Sequence, residues 1–583
     1  MALFGESGLN FYNPSSLKWI DLYLEYRNLL NHNHKFQYGD QLIDGVVKKT
    51  KPPKPKWEQL YGDSEEDESV SHHKPSYSLA AACFKLLNEK IDLEEKTLMR
   101  EIIIRSNTEE IEAHRERIMK YCRSDIRYLR PMLNRFIKEN LRVCKPEEYR
   151  AAMLRRGEYA ARSAMMISCG YPVNMQKIEN FKKNIPAILA SAQEACNEFI
   201  PAFSKNKKTA AFKANETEIR KWVTSQNKPH WRQTTGGKVS IAKDAFGDWY
   251  DSESEGFAGA YCRYLKTKQS LNGFMPNSKK KFEDFVGSDN RVRPFMGIYG
   301  AQSSRSQPSS AGFIPLKSHW MRNFIESSKG YAMVGIDYAS QEFLLAAIIS
   351  QDQGMMDAYE SGDVYLSFAK AAGLAPKEAT KESHKEIRDK CKTLVLGISY
   401  DMGSKGLAAR MGCGEAEAES LIELFYDTYE DYATWKKETL EEYGEFNHLK
   451  LSDGWTMWGD NPNHRSVGNF PIQGAGAVVM REAVRLCQVF GLNVVFTLHD
   501  AVYAEIKSSD LQKIQIMQRC MLDAFRNVMR PYGRCPDIRL EGECWSPDFT
   551  EASCLTIDNV KQLTEYSDSK GAADLLRYRK FFN

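Results

Sequence analysis

Val494 to Ile506 reads VVFTLHDAVYAEI. Apolar residues and one threonine run into His499-Asp500, and the chain then climbs back through Val502, Tyr503 and Ala504. The β-branched and aromatic residues on both sides mark extended chain, either one strand or two joined by a tight hairpin. A carboxylate inside a buried run is costly unless something cationic meets it. By itself the pair also fits a core histidine hydrogen-bonded to its neighbour.

A second run has the same design. In GYAMVGIDYA (Gly330–Ala339), Val334 and Ile336 lead to Asp337, and the helix-compatible SQEFLLAA follows. Alone, Asp337 reads equally well as the N-cap of that helix. Two strands that each deliver an aspartate favour a shared task. Paired carboxylates hold two Mg²⁺ ions about 4 Å apart, an arrangement that activates a hydroxyl and steadies a leaving pyrophosphate. The third constellation is RDKCKTLVLGISYD (Arg388–Asp401), where Arg388, Lys392, Leu396 and Tyr400 recur at every fourth position. Successive members drift by about 40° around a helix, so all four share one broad face. Cations suit a triphosphate, and an apolar plate and a ring suit a base and sugar. The plainer alternative is a solvated basic stripe running into a core leucine and tyrosine.

At 583 residues the chain is long enough for several domains. Hydrophobic residues at 42% and charged residues at 27% place it in the globular class. A formal charge of +3 excludes a uniformly basic nucleic-acid coat but leaves room for basic clefts. Ser204–Lys208 (SKNKK) and Lys279 to Lys281 are local candidates. The 13 cysteines form no CxxC pair and no zinc-spaced cluster, so they read as reduced, mostly buried thiols. No signal peptide is recognisable, and no apolar run approaches the ~20 residues of a membrane span. The expected setting is cytoplasmic, without membrane partners.

Polar, Pro- or charge-rich stretches at Lys48–Lys56 and Gly62–Ser76 read as loops. Helical periodicity runs from Leu79 to Phe136, and again from Pro146 to Phe203 with a break at Cys169–Asn174. The Gly- and Ser-rich segment His230–Ser310 reads as loops and short strands. Helices are expected at Glu382–Tyr400, Glu415–Tyr443 and Ala475–Phe490. The fold class is α+β, a small sheet carried by many helices.

Together the three constellations resemble the A-family DNA polymerases, the group of bacterial repair polymerases and many phage replicases. DYASQE (Asp337–Glu342) is similar to the family's first palm motif, usually Asp-Tyr-Ser-Gln-Ile-Glu. Arg388–Tyr400 resembles the finger-helix motif Arg-x3-Lys-x3-Phe-Gly-x2-Tyr, and LHDA (Leu498–Ala501) resembles the second palm motif, His-Asp-Glu. RSVGNFPIQGAGA (Arg465–Ala477) is similar to Arg-x3-Asn-x-Pro-x-Gln-Gly, and YGAQSSRS (Tyr299–Ser306) to the primer-binding Gly-Ala-x-Thr-Gly-Arg. HWRQTTGGKVSI (His230–Ile241) resembles the thumb-to-palm Lys-Thr-x-x-Gly loop. The resemblance spans roughly Pro146 to the C-terminus.

It implies a right-hand polymerase with palm, fingers and thumb, working on primer–template DNA and deoxynucleoside triphosphates with two Mg²⁺ ions, Mn²⁺ being a possible substitute. Asp337 and Asp500 would be the metal-binding catalytic carboxylates, with the Tyr338 carbonyl as a further ligand. Arg388 and Lys392 would grip the triphosphate, and Lys392 would protonate the leaving pyrophosphate. Leu396 would contact the incoming sugar. Tyr400 would close over the nascent base pair and, with Glu342, crowd the place of a ribose 2′-OH. Arg305, Arg465, Asn469 and Gln473 would contact DNA, and His499 would lie near the primer's terminal phosphate. Residues 146–295 would be the thumb and start of the palm, 296–350 palm, 351–445 fingers and 446–583 palm.

Three positions depart from the pattern. Leu396 replaces an aromatic residue, Ala501 replaces the glutamate after the catalytic aspartate, and Asp401 replaces a common glycine. Glu505 lies farther along the returning strand, with its aim undetermined by sequence. Residues 1–145 resemble a partial, ribonuclease H-like 3′–5′ exonuclease domain. Tyr121 and Asp125 match its last motif, and Trp19–Leu30 is similar to one of its non-catalytic helices. The expected upstream Asp-x-Glu strand is not found, so this chain alone is expected not to proofread, unless a separate chain completes the domain. Asp21 and Glu25 are expected on a solvated helical face. A split gene of a DNA phage, acting in the host cytoplasm in viral DNA replication, fits this pattern. The alternatives are a single-subunit RNA polymerase and a catalytically inactive, polymerase-derived DNA-binding subunit.

Overall fold

In the computed structural model the described residues are 20–31, 39–43, 46–50, 70–71, 78–91, 93–205, 212–226, 231–234, 236–242, 245–246, 256–275, 278, 281–308, 311–313, 319–399, 401–411, 413–459, 464–549 and 557–563. The loop expected at Gly62–Ser76 lies almost wholly outside them, as does Tyr400.

The first helix, α1 (Leu22–Leu30), starts where Asp21 accepts the backbone N–H groups of Tyr23 (2.9 Å) and Leu24 (3.2 Å). Five helices follow between Leu79 and Asn140 instead of one long run. Asn88 in the left-handed region closes the first of these, and Asn107 caps another. The predicted break at Cys169–Asn174 is present, between α2 (Pro146–Cys169) and α3 (Met175–Asn197). The segment expected to be loops instead contains a 16-residue helix, α4 (Gly256–Leu271), whose Phe257, Tyr261 and Tyr264 are buried. Ring contacts explain it: Tyr264 packs on Phe203 at 4.7 Å and Phe257 on Trp222 at 4.7 Å. Aromatic burial outweighs the local glycine and serine content.

The central sheet has the order β4-β5-β1-β6-β7. Its strands are β1 (Tyr331–Tyr338), β4 (Asn493–Leu498), β5 (Ala501–Lys507), β6 (Leu540–Trp545) and β7 (Val560–Leu563). Between β1 and β4 a small hairpin is formed by β2 (His448–Lys450) and β3 (Thr456–Trp458). Strands β4, β5, β1 and β6 are antiparallel, and β7 joins β6 in parallel. Gly335 is demanded by packing. A Cβ there would lie 2.4 Å from the Tyr503 ring, which itself stacks on Phe496 at 4.2 Å.

Helices α5 (Gln341–Ser350), α6 (Val364–Ala371), α7 (Lys385–Ser399), α8 (Glu415–Thr428) and α9 (Glu430–Phe446) follow β1. The single run expected over Glu415–Tyr443 is broken at Tyr429, whose ψ of 69° is not helical. Helix α10 runs from His464 to Val489, eleven residues ahead of the expected start, with Pro471 inside it. Helix α11 (Lys513–Met529) packs along it. One large core joins the sheet to these helices, a second lies around α1 and Phe136, and a third around Phe203 and Tyr261.

Glu25 is not solvated. It is fully buried and takes a bidentate ion pair from Arg156 on α2, at 2.7 and 2.6 Å, with the Tyr149 hydroxyl donating at 2.8 Å. Arg156 is itself fully buried and also donates to the Asp453 carbonyl at 2.9 Å. A buried charge without its partner is strongly destabilising. Glu25→Ala is therefore expected to cost about 3–5 kcal/mol of unfolding free energy, measured by denaturant titration. A loss below about 1 kcal/mol would show that solvent reaches Arg156.

Candidate active site

The quoted stretch is a hairpin. Leu498 pairs with Ala501, leaving His499 and Asp500 as its two-residue turn, with His499 at φ 54°. Strand β5 then pairs with β1 so that Asp337 lies opposite Ala501, and β6 places Glu541 opposite Asp337 on the other side. The Tyr338 N–H donates to the Asp500 carbonyl at 3.3 Å, locking the turn against the end of β1. The helix after β1 begins at Gln341 with Ser340 at its N-cap position, so Asp337 does not cap it.

This register sets the two aspartates side by side, near enough that Asp500 raises the pKa of Asp337. The Asp337 side chain is reachable by solvent, yet the surrounding protein desolvates it and pushes its pKa up to about 8. That value already includes the push from the facing Asp500, a smaller one from Glu541, and the opposing pull of the Tyr338 N–H. A divalent cation between the two carboxylates removes the repulsion and restores the lost solvation, so the donor set fits one. Among the described residues no group of three or more His, Cys, Asp or Glu side chains forms a metal cluster. The protein thus offers two carboxylates, and Mg²⁺ is commonly held by one or two together with water and substrate phosphates.

Glu505 does not join them. It pairs with Arg291 at 3.0 Å and lies four residues past Ala501, about 13 Å along the strand. Tyr338 is buried, with its hydroxyl donating to the Met521 carbonyl at 2.7 Å. His499 is exposed at the hairpin tip.

The expected finger helix is α7. Lys392 is exposed, Leu396 half-buried, and Arg388 is held by Asp363 and lies over the Tyr365 ring at 5.4 Å. Asp363 has two tasks: one oxygen caps α6, at 3.2 Å from the Tyr365 and Leu366 N–H groups, and the other holds Arg388. Sequence reading missed this carboxylate, although Asp before Val364 is a legible N-cap signal. Arg465, Asn469 and Gln473 fall four apart on α10 and so share a face. Gln473 accepts from the Ser303 hydroxyl at 3.2 Å. Arg305 and Glu342 meet in a 2.6 Å ion pair. Tyr121 lies on the helix Arg115–Ile126, and the Asp125 side chain is outside what the structure describes.

Asp401 now has a physical account. It stands just past the end of α7 with φ 52°. Its N–H donates to the Ile398 carbonyl and the Met402 N–H to the Gly397 carbonyl, both at 2.9 Å. These are the paired bonds of a Schellman motif, in which glycine is the usual left-handed residue. Aspartate tolerates that conformation better than most side chains. Its carboxylate is used in an ion pair with the largely buried Lys436 of α9, whose ammonium lies beside the stacked Tyr426 and Tyr432 rings, 5.7 and 5.6 Å from their centres.

Comparison with known proteins agrees with this geometry. Residues 313–530, which contain both aspartates and α7, match the family model for DNA polymerase family A. DNA polymerase I of Aquifex aeolicus (strain VF5) is 23% identical over 377 residues, covering 62% of this chain and 62% of that protein. A DNA polymerase of Mycobacterium phage L5 is 24% identical over 239 residues, covering 40% of this chain and 38% of the phage protein. The chain therefore spans less than two thirds of the length of these curated relatives. The fold is similar to the POL domain of Pol1 from M. smegmatis, solved in complex with DNA primer-template and dNTP. The TM-score is 0.58 at 17% identity, over 80% of this chain and 78% of that one.

The Asp401–Lys436 pair is open to a double-mutant cycle. Lys436→Met alone is expected to destabilise by about 1–3 kcal/mol, because it leaves a poorly solvated carboxylate unpaired. Asp401→Gly in the same chain is expected to recover at least about 1 kcal/mol of that as coupling, and additive effects would mean the pair is idle.

Proposed function

We propose that this chain is a DNA-directed DNA polymerase that adds deoxynucleotides to a primer 3′ end by phosphoryl transfer. The observation that carries the reading is the register of β5, β1 and the hairpin turn, which makes Asp337 and Asp500 a facing pair within the family-matched segment. In this reading residues 146–295 supply the thumb and the start of the palm, 296–350 and 446–583 the palm, and 351–445 the fingers. The surroundings are cytoplasmic, in a host cell if the source is a phage. Among the described residues no helix is long and apolar enough to cross a membrane.

Asp337 and Asp500, with the Tyr338 carbonyl, are the groups that would hold two divalent cations, Mg²⁺ or Mn²⁺ as substitute. Bound there, such ions supply Lewis-acid stabilisation of the charge that develops on the transferring phosphoryl group. The protein's own share is placement and charge. Arg388 exchanges Asp363 for a triphosphate oxygen, and the exposed Lys392 ammonium donates its proton to the leaving pyrophosphate. Leu396 and Tyr400 pack against the incoming sugar and base. Glu342, fixed by Arg305, leaves little room for a 2′-OH. Arg305, Arg465, Asn469, Gln473 and His499 contact primer–template DNA. Sequence information comes from base pairing, while the protein reads backbone and shape.

Residues 1–145 are proposed as an exonuclease-like region, on the likeness of Tyr121 and Asp125 to the last motif of that fold. Its acidic residues Asp21 and Glu25 are a helix cap and a buried ion-pair partner, not metal ligands.

Primer extension tests the reading. Expected is Mg²⁺-dependent extension with deoxynucleotides and not ribonucleotides, weakened by salt as phosphate contacts are screened. Asp500→Ala is expected to lower it on the order of 10³-fold or more while leaving the melting temperature near that of wild type. Preferred use of ribonucleotides would point to an RNA polymerase, and equal inactivity of both proteins to a DNA-binding subunit. A flexible aliphatic at Leu396 packs a sugar less rigidly than a ring, so poor use of dideoxynucleotides is expected. Leu396→Tyr should narrow that discrimination about 10-fold or more in competition assays. Equal discrimination by the two proteins refutes the assignment.

A further inference from the structure

The loop Tyr299–Ser306 carries Arg305 and touches Gln473 through Ser303, yet it has almost no regular structure of its own. Two of its non-glycine residues are left-handed, Tyr299 at φ 51° and Ser304 at φ 64°. Such a backbone persists only where its surroundings impose it. Part of that surrounding is α1 with its C-cap Asn31, 271 to 273 residues earlier in sequence. Arg27 Nη2 donates to the Gly300 carbonyl at 3.1 Å, and Asn31 Nδ2 to the Gln302 carbonyl at 3.0 Å. The same Gln302 oxygen accepts Trp455 Nε1 at 2.9 Å, from the turn between β2 and β3.

That turn is in its turn held by α1. The Asn28 amide oxygen accepts the Thr456 N–H at 2.7 Å, and Asn31 Nδ2 also donates to the Thr456 carbonyl at 3.0 Å. On the far side, Arg481 of α10 donates to the Ser304 carbonyl and hydroxyl, both at 2.9 Å, and to Asp453 at 2.7 Å. Packing follows the same division. Leu24 of α1 belongs to the large core of the sheet, while Tyr26, Leu29 and Leu30 belong to the N-terminal one.

We propose that α1 is a positioning element of the polymerase site: Arg27 and Asn31 fix the Tyr299–Ser306 loop so that Arg305 and Gln473 are presented to the primer–template terminus. On this view the first helix of the exonuclease-like region serves primer binding in this chain. The inference rests on the DNA-contact reading given above. Arg27 and Asn31 act through the loop and touch no substrate themselves.

The test uses the full chain carrying Arg27→Ala and Asn31→Ala. Both side chains are half-buried rather than core, so folding is expected to survive; Asn31→Ala alone serves if it does not. Affinity for a fluorescein-labelled primer–template duplex, read by anisotropy, should fall about 5- to 30-fold. The KM for the next deoxynucleotide should stay within about twofold, a split that general loosening of the fold would not give. Arg305→Ala added to the double variant should cost less than about twofold more, because the effects are not additive when one acts through the other. Unchanged duplex affinity, equal loss in duplex and nucleotide binding, or a full additional loss from Arg305→Ala would each overturn the proposal. Wild type that binds the duplex but extends no primer would overturn the enzymatic reading instead, so the two failures are distinguishable.

Discussion

The ladder through β5, β1 and β6 forces two carboxylates into a contact that neither would keep in water. Register is rigid here because a slip of one residue would exchange the two faces of β1, both of which are buried from Ala332 to Ile336. The Tyr503 ring over Gly335 pins it further, since no other residue leaves space for that ring. With the strands fixed, Asp337 cannot retreat from the hairpin turn. The electrostatic cost is concentrated on a carboxyl raised to about 8 and is relieved by a proton or by a cation bound between the two groups.

How much of this the sequence reveals depends on the range over which each signal acts. The two aspartates, Arg388 and Lys392 are legible because an apolar run ending in a carboxylate and the fourfold spacing of a helix face are local signals. The helix α10 is much less so. Pro471 and the glycines at 468, 474 and 476 read locally as a break, yet they are what lets neighbours approach. A Cβ on Gly474 would lie 2.4 Å from the Leu451 methyls, and one on Gly476 would lie 3.0 Å from Gln341 Oε1. The partner of Glu25 is 131 residues away, and no local pattern announces it. Likewise Asp401 is unreadable without Lys436, because its backbone angle and its ion pair explain it together.

Charge pairing recurs at the places where elements change direction. Asp363 caps one helix and holds the arginine of the next. Asp401 ends α7 and reaches α9, and Asp453 sits in a turn between Arg156 and Arg481. Burial works against ionisation of Asp453, yet the two guanidiniums keep its carboxyl below the usual range. Such pairs add little when exposed, but at low solvent access they fix geometry as hydrophobic contacts do not.

The Arg156–Glu25 contact bears on how the polypeptide can be divided. Residue 145, just ahead of α2, offers a natural cut between the N-terminal helices and the rest of the chain. A fragment beginning there would keep Arg156 and lose the carboxylate that neutralises it, together with the helix that braces the Gly300 and Gln302 carbonyls. The two parts therefore form one inheritable unit: recombination at that junction would strand a guanidinium in the interior, whatever catalytic residues it left intact.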